Sequence, residues 1–327
     1  MIVYAARLLS AGGVVALPTE TVYGLAADVA NAAAIRRIYA IKGRPLDHPL
    51  IVHLPSPAHL ERYASDVPPA ALRLVERFWP GPLTIVLRKS DAVPFSVTGG
   101  QPTVALRMID HPLASAILLR FGSAVAAPSA NRFGRISPTT AEHVRADLGD
   151  DVDLIVDGGP ARIGVESTIV DLTGEVPTIL RQGAIGVTDL ADALGMPVVA
   201  SHGGGNVRAP GMLAAHYAPQ AALVIAEDGM QASTAAQLRA SGGHVAELTL
   251  PEDPGAAARS LYASLRALDA QGFDTIVVTL PADTEANAAV RDRLQRAATP
   301  ALTIAEVRRS LPRGAAPSRR SRTAPDR

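Results

Sequence analysis

Cysteine is absent from this chain, which excludes a disulfide framework, a thiolate nucleophile and a cysteine-bound zinc. Aromatic residues are scarce, at 4%, too few for a platform that stacks successive bases. Excess charge of one sign is also missing: 31 Lys and Arg balance 31 Asp and Glu, so no overall field draws in nucleic acid. The apolar stretch at the N-terminus is interrupted by Arg7 and Gly12-Gly13, and reads neither as a spanning helix nor as a convincing signal peptide. No membrane is expected, and the expected compartment is the cytoplasm.

What is present is a turn-rich globular composition, 48% hydrophobic with 27 Gly and 26 Pro, in a chain of 327 residues, long enough for two domains. The spacing predicts a helix over 31–41, with Asn31 as cap and Gly43 as stop, and further helices over 70–78, 113–121 and 189–194. Strands are predicted at 14–17, 50–54, 83–87, 103–108, 124–127, 154–157, 167–171 and 178–181. They do not alternate cleanly with helices, which favours a mixed sheet over a doubly wound one. Residues 201–220 have the character of a linker. Beyond them strands at 222–225, 245–250 and 275–280 alternate with helices at 233–240, 255–270 and 285–298, a βαβαβα pattern. Residues 309–327 form a basic tail that reads as disordered.

The most informative segment is Pro18-Thr19-Glu20-Thr21-Val22-Tyr23-Gly24-Leu25, at the end of the first predicted strand. Open α/β folds place ligands just past the carboxyl ends of strands. On composition alone the segment reads equally well as a polar loop with a helix cap. A second polar stretch, Lys42-Gly43-Arg44-Pro45, follows one helix later and shifts the balance toward a site. Lys42 and Arg44 either flank a common anionic ligand or complement the dipole of the preceding helix. Arg107, after an apolar strand, reads on the residues alone as a strand-edge surface charge. His53 serves a ligand or a structural hydrogen bond.

These motifs run in an order that resembles the threonylcarbamoyl-AMP synthase, or YrdC-like, family. The segments are PTETVYGL (18–25), KGRP (42–45), PLIVH (49–53), TVALR (103–107), APSAN (127–131), SPT (137–139), VEST (165–168) and LRQG (180–183). APGMLAAHYAP (209–219) resembles the linker of the two-domain form, so the resemblance covers about residues 1–308. It implies an α/β protein. An N-terminal YrdC-like mixed twisted sheet (1–200) would carry helices around a large cavity, 201–220 would be a linker or lid, and 221–308 a small Rossmann-like parallel-sheet domain. The implied reaction joins L-threonine, bicarbonate and ATP into threonylcarbamoyl-AMP and pyrophosphate. Other proteins, threonylcarbamoyl transferases, then carry the group to tRNA. ATP enters as a substrate, and Mg²⁺ is expected on its phosphates, because no acidic cluster forms a dedicated cage.

Residue by residue, the resemblance assigns Lys42 and Arg44 to catalysis and to ATP. It adds His48, Thr103, Ser129, Asn131, Ser137, Arg181 and Tyr217 to the nucleotide side. Thr21, His53, Arg107, Ala127 and Ser167 fall on the L-threonine side. Arg208, His216 and Tyr217 of the linker would reach over the mouth of the cavity, or simply tether two domains. Two positions depart from the family pattern: His48 replaces an asparagine that contacts nucleotide, which would make affinity pH-dependent, and Arg291 replaces an asparagine in the C-terminal domain. The alternative is a tRNA- or RNA-binding protein without synthase activity, for which the neutral charge and few aromatics are unfavourable. A P-loop enzyme is not supported, since no GxxxxGK[ST] occurs. A carbamoyl-phosphate enzyme fits poorly beside the HYAP linker and the missing zinc-finger cysteines.

Overall fold

A computed structural model describes residues 1–201, 210–211 and 216–298. Arg208, the tail 309–327 and the expected last residues of the second domain, 299–308, lie outside them. The strands are β1 (Val15–Leu17), β2 (Gly24–Asp28), β3 (Ile51–His53), β4 (Leu83–Arg88), β5 (Thr103–Arg107), β6 (Val125–Ala126), β7 (Leu154–Ile155), β8 (Thr168–Asp171), β9 (Thr178–Arg181) and β10 (Val199–Ala200). They form one ten-stranded mixed sheet in the order β10-β9-β8-β4-β5-β3-β6-β2-β1-β7. After it, β11 (Ala222–Ala226), β12 (Val245–Leu248) and β13 (Thr275–Thr279) make a separate parallel sheet in the order β11-β13-β12.

Local chemistry explains the elements that position the site. The helix Ala32–Lys42 starts where the Asn31 side chain accepts the amides of Ala33 and Ala34, and stops at Gly43, whose φ of 63° is left-handed. That stop turns the chain sharply between Lys42 and Arg44, both of which are buried. Ile35, Ile38 and Tyr39 of this helix enter the main core, beside Leu25 and Val52. The helix Ala288–Ala297 closes the second domain by burying Val290 and Leu294.

Strand β5 sits between β3, parallel to it, and β4, antiparallel to it. The register puts Arg107 beside His53 on one flank and Thr84 on the other. Ser167 immediately precedes β8, which pairs with β4. One edge of the sheet thus gathers the carboxyl ends of β3 and β5 with the amino ends of β4 and β8.

Several elements depart from the sequence expectation. The PTETVYGL segment does not lead from a strand into a helix; it is the loop of an antiparallel pair, with Leu17 opposite Gly24. Its second strand is Gly-Leu-Ala-Ala-Asp, a composition with weak strand preference that only the neighbouring strands β1 and β6 enforce. Helices Ile2–Ser10 and Ala141–Leu148 are additional, the latter capped by Thr140, whose side chain accepts the His143 amide. The last predicted helix begins as a single 3₁₀ turn, Glu285–Asn287. No helix among the described residues is long and apolar enough to cross a membrane.

Candidate active site

The loop between β1 and β2 is shaped by its own hydroxyl. Thr19 Oγ1 accepts the amides of Thr21 and Val22 and donates to the Val22 carbonyl at 2.7 Å, a compact turn that points Thr21 and Glu20 inward. Glu20 Oε1 pairs with Arg107 Nη2 at 2.8 Å, and Thr21 Oγ1 accepts from the same nitrogen at 2.8 Å. Arg107 Nε donates to the Gly81 carbonyl, which fixes the plane of the guanidinium. His53 Nε2 lies 3.3 Å from the Ala127 carbonyl, whereas its buried Nδ1 has no partner among the described residues. Burial, with help from Arg107, lowers its pKa to about 3, so the ring is neutral.

Thr21, His53, Arg107 and Ala127 line one end of an open cavity, and Glu20 stands behind Arg107. The other end is cationic. Arg44 is buried, donates to the carbonyls of His48 and Pro49, and lies 5.6 Å from the centre of the Phe133 ring. Its pKa is lowered to about 10 by burial, yet it remains charged at neutral pH. Arg181 is held by Ser167, through both the carbonyl and the hydroxyl at 3.0 Å, and by the Pro210 carbonyl at 3.1 Å. Ser129 and Tyr217 complete this side. Tyr217 has a φ of 63°, uncommon for a residue with a side chain, and its buried hydroxyl has no hydrogen-bond partner among the described residues. The close approach of Gly211 explains that glycine, since a Cβ there would sit 2.4 Å from the Tyr217 hydroxyl.

The remaining expected residues stand behind the wall. Lys42 Nζ donates to the carbonyls of Ser129 at 2.5 Å and Asn131 at 2.6 Å, and burial with neighbouring Arg44 pulls its pKa well below the ordinary lysine value. It braces the APSAN loop. Asn131 uses its amide nitrogen on the carbonyls of Arg132 and Arg135, and its buried Oδ1 has no partner among the described residues. Ser137 donates to Glu166 at 2.5 Å, and Ser167 shares a 2.7 Å hydrogen bond with Thr84. Thr103 begins β5 at the end away from Arg107, toward His48 and Pro49 by the register of β3 and β5. His48 lies 5.4 Å from the Phe133 ring, and that ring lies 5.8 Å from His216.

Sequence reasoning overlooked Glu20, Phe133, Glu166, Tyr262 and Arg293. Glu20 and Glu166 stand inside the PTETVYGL and VEST motifs, but a carboxylate in a site for anions carries no obvious signal. Phe133, Tyr262 and Arg293 stand outside all the motifs.

Two family profiles account for most of the sequence. The Sua5/YciO/YrdC profile, described as "Telomere recombination", matches residues 7–183, and the profile "Threonylcarbamoyl-AMP synthase, C-terminal domain" matches 185–299. The chain belongs to the threonylcarbamoyl-AMP synthase family, in its two-domain Sua5 form. The Bacillus subtilis threonylcarbamoyl-AMP synthase is 40% identical over 321 residues, covering 91% of this chain and 92% of the relative. The Pyrococcus abyssi enzyme of the same name is 38% identical, with 90% and 92% covered. A crystal structure of P. abyssi Sua5 complexed with L-threonine superposes with a TM-score of 0.87 at 37% identity, covering 91% of this chain and 94% of that one. Membership of the Sua5 form accounts for the α/β architecture of a large mixed sheet followed by a small parallel one.

Proposed function

We propose that this chain is an L-threonylcarbamoyl-AMP synthase that condenses L-threonine, bicarbonate and ATP. The observation that carries the reading is the meeting of three buried guanidiniums, Arg44, Arg107 and Arg181, in one cavity whose two ends differ in character. The Arg107 end, with Thr21, His53, Ala127 and nearby Ser167, suits a small zwitterion whose carboxylate needs an oriented partner. The Arg44 and Arg181 end, with Ser129 and Tyr217, suits a polyanion. The relative solved with L-threonine, and the names of relatives matched over nearly their whole length, support the same assignment.

In this reading the threonine amine and bicarbonate give a carbamate with loss of water. A carbamate oxygen attacks the α-phosphorus of ATP, the bond to the β-phosphate bridging oxygen breaks, and pyrophosphate leaves. The protein supplies no covalent nucleophile. Arg107 and Thr21 hold the amino acid, while Arg44 and Arg181 stabilise charge on the phosphates. Lys42 acts by keeping the Ser129 and Asn131 backbone in place. His48, Thr103, Ser137 and Asn131, which the family resemblance assigns to the nucleotide side, would act on the nucleotide from behind the lining residues. No group of three His, Cys, Asp or Glu among the described residues forms a metal cage, so a Mg²⁺ ion accompanying ATP would ride on its phosphates and water. The product would pass to threonylcarbamoyl transferases that act on tRNA, in the cytoplasm.

Pyrophosphate release is the test, with ATP, L-threonine and bicarbonate each omitted in turn. The reading expects release only when all three are present and poor replacement of threonine by serine. Release without threonine would overturn it.

A further inference from the structure

Among the described lining residues, Glu166 is the one carboxylate of a cavity otherwise supplied with cations. A negative charge there would repel a triphosphate, so its neutralisation matters. The counter-charge comes from the second domain. Arg293, on the helix Ala288–Ala297, is buried and donates Nε to Glu166 Oε2 at 2.7 Å. Tyr262, on the helix Pro254–Asp269, adds its hydroxyl to the same carboxylate at 2.9 Å. Glu166 Oε1 also accepts from Ser137 at 2.5 Å and from the Tyr262 hydroxyl at 3.2 Å.

Arg293 has further partners. Nη2 donates to the Gln182 carbonyl at 2.9 Å, next to Arg181. Nη1 meets Asp292, which also pairs with Arg296. The guanidinium carbon lies 5.1 Å from the centre of the Tyr217 ring, within cation–π range. One side chain of the C-terminal domain therefore touches the strand end at Arg181 and the linker tyrosine, and reaches the Ser137 wall through Glu166. Burial pushes the Glu166 carboxyl up, but Arg293, Arg181 and Ser137 outweigh it and hold it at about 2, so the ionised form persists at all working pH values.

We propose that Arg293 is a positioning residue for the nucleotide side of the cavity, cancelling the charge of Glu166 so that Arg181 stays aimed at the anionic substrate. The proposal rests on the synthase reading for its choice of substrate, and gives the C-terminal domain a specific electrostatic task. Replacing Arg293 by a neutral residue would uncover Glu166, which would then repel phosphates and draw Arg181 toward itself.

The experiment uses the full chain and compares Arg293→Met, Arg293→Lys, Tyr262→Phe, Glu166→Gln and the double variant Arg293→Met with Glu166→Gln. ATP binding is read by calorimetry and by the KM for ATP in pyrophosphate release; L-threonine binding is titrated separately. Arg293→Met is expected to weaken ATP by about tenfold or more while threonine affinity holds, and Arg293→Lys to keep most of the affinity. The double variant is expected to recover ATP binding, because the stray charge is gone. Tyr262→Phe, which removes a neutral donor, is expected to do far less than Arg293→Met.

Unchanged ATP binding in folded Arg293→Met would overturn the proposal, as would equal losses in Tyr262→Phe or no recovery in the double variant. If Arg293→Met does not fold, Glu166→Gln decides the matter: ATP binding equal to or tighter than wild type supports charge cancellation, and weaker binding refutes it. Calorimetric ATP binding that depends on Arg293 while wild type releases no pyrophosphate would sink the synthase reading and leave this proposal standing.

Discussion

Arg107 Nη2 stands 2.8 Å from Glu20 Oε1, a buried ion pair that ties the β1–β2 loop to the end of β5. The cation that would clamp threonine therefore already has a carboxylate partner, and the loop sets its angle. Arg107→Ala leaves Glu20 buried without its counter-charge and is expected to cost about 3–5 kcal/mol of stability. Adding Glu20→Gln should restore much of that stability but none of the threonine binding. Urea denaturation and threonine calorimetry separate the two effects; recovery of binding in the double variant would contradict a clamp role for Arg107.

Lys42 offers a second test. Both hydrogen bonds found for it go to backbone carbonyls, so Lys42→Met orphans the oxygens of Ser129 and Asn131. An unsatisfied buried acceptor costs about 1–3 kcal/mol. Faster amide exchange over 127–131 and a raised KM for ATP are expected together. A loss of ATP affinity with unchanged exchange would mean that Lys42 meets phosphate directly.

His48 is pushed below the ordinary histidine range by burial and by Arg44. It is thus neutral across the physiological range, and the pH-dependent affinity expected from replacing asparagine should be absent above pH 7. The KM for ATP is expected to stay flat between pH 7 and 9 in wild type and to change little in His48→Asn. A KM that follows a histidine titration in that window, lost in the variant, would refute this.

Acid stability has a definite sign. His53 and His216 are both lowered to about 3, chiefly by burial. An unfolded histidine takes its proton near its ordinary value of 6.5, so the stability these depressed groups carry is complete above that pH and drains as pH falls toward 3. Each should contribute a slope of about 1.4 kcal/mol per pH unit below about pH 6. Urea midpoints at several pH values measure the slope, and His216→Gln should remove one histidine's share. Glu166, lowered from 4.5 to about 2, adds to the loss only below pH 4.5.

The strands and helices with strong periodicity were legible in the sequence, and so was the capped helix ending at Gly43, because each is specified by local chemistry. Strand β2 was not, since Gly24, Ala26 and Ala27 become a strand only by lying between β1 and β6. The cavity-lining positions Thr21, Arg44, His53, Arg107, Ser129 and Arg181 were accessible through motif order. The residues behind them were not: whether Lys42 faces a ligand or a loop depends on where residues 129–131 fold back, and no spacing reveals it. Arg293 and Tyr262 reach Glu166 from over ninety positions away in the chain, so only the assembled fold brings them together.

The strand order also bears on how the chain is made. The β1–β2 hairpin forms from neighbouring residues, but its outer edges pair with β6 and β7, far downstream. A nascent chain therefore carries a bare, apolar two-edged hairpin until most of the large sheet has been synthesised, the situation in which strands recruit the wrong partner. Contacts this non-local fold slowly. Truncations ending before β7 will be limited by aggregation and chaperone demand before any question of chemistry arises.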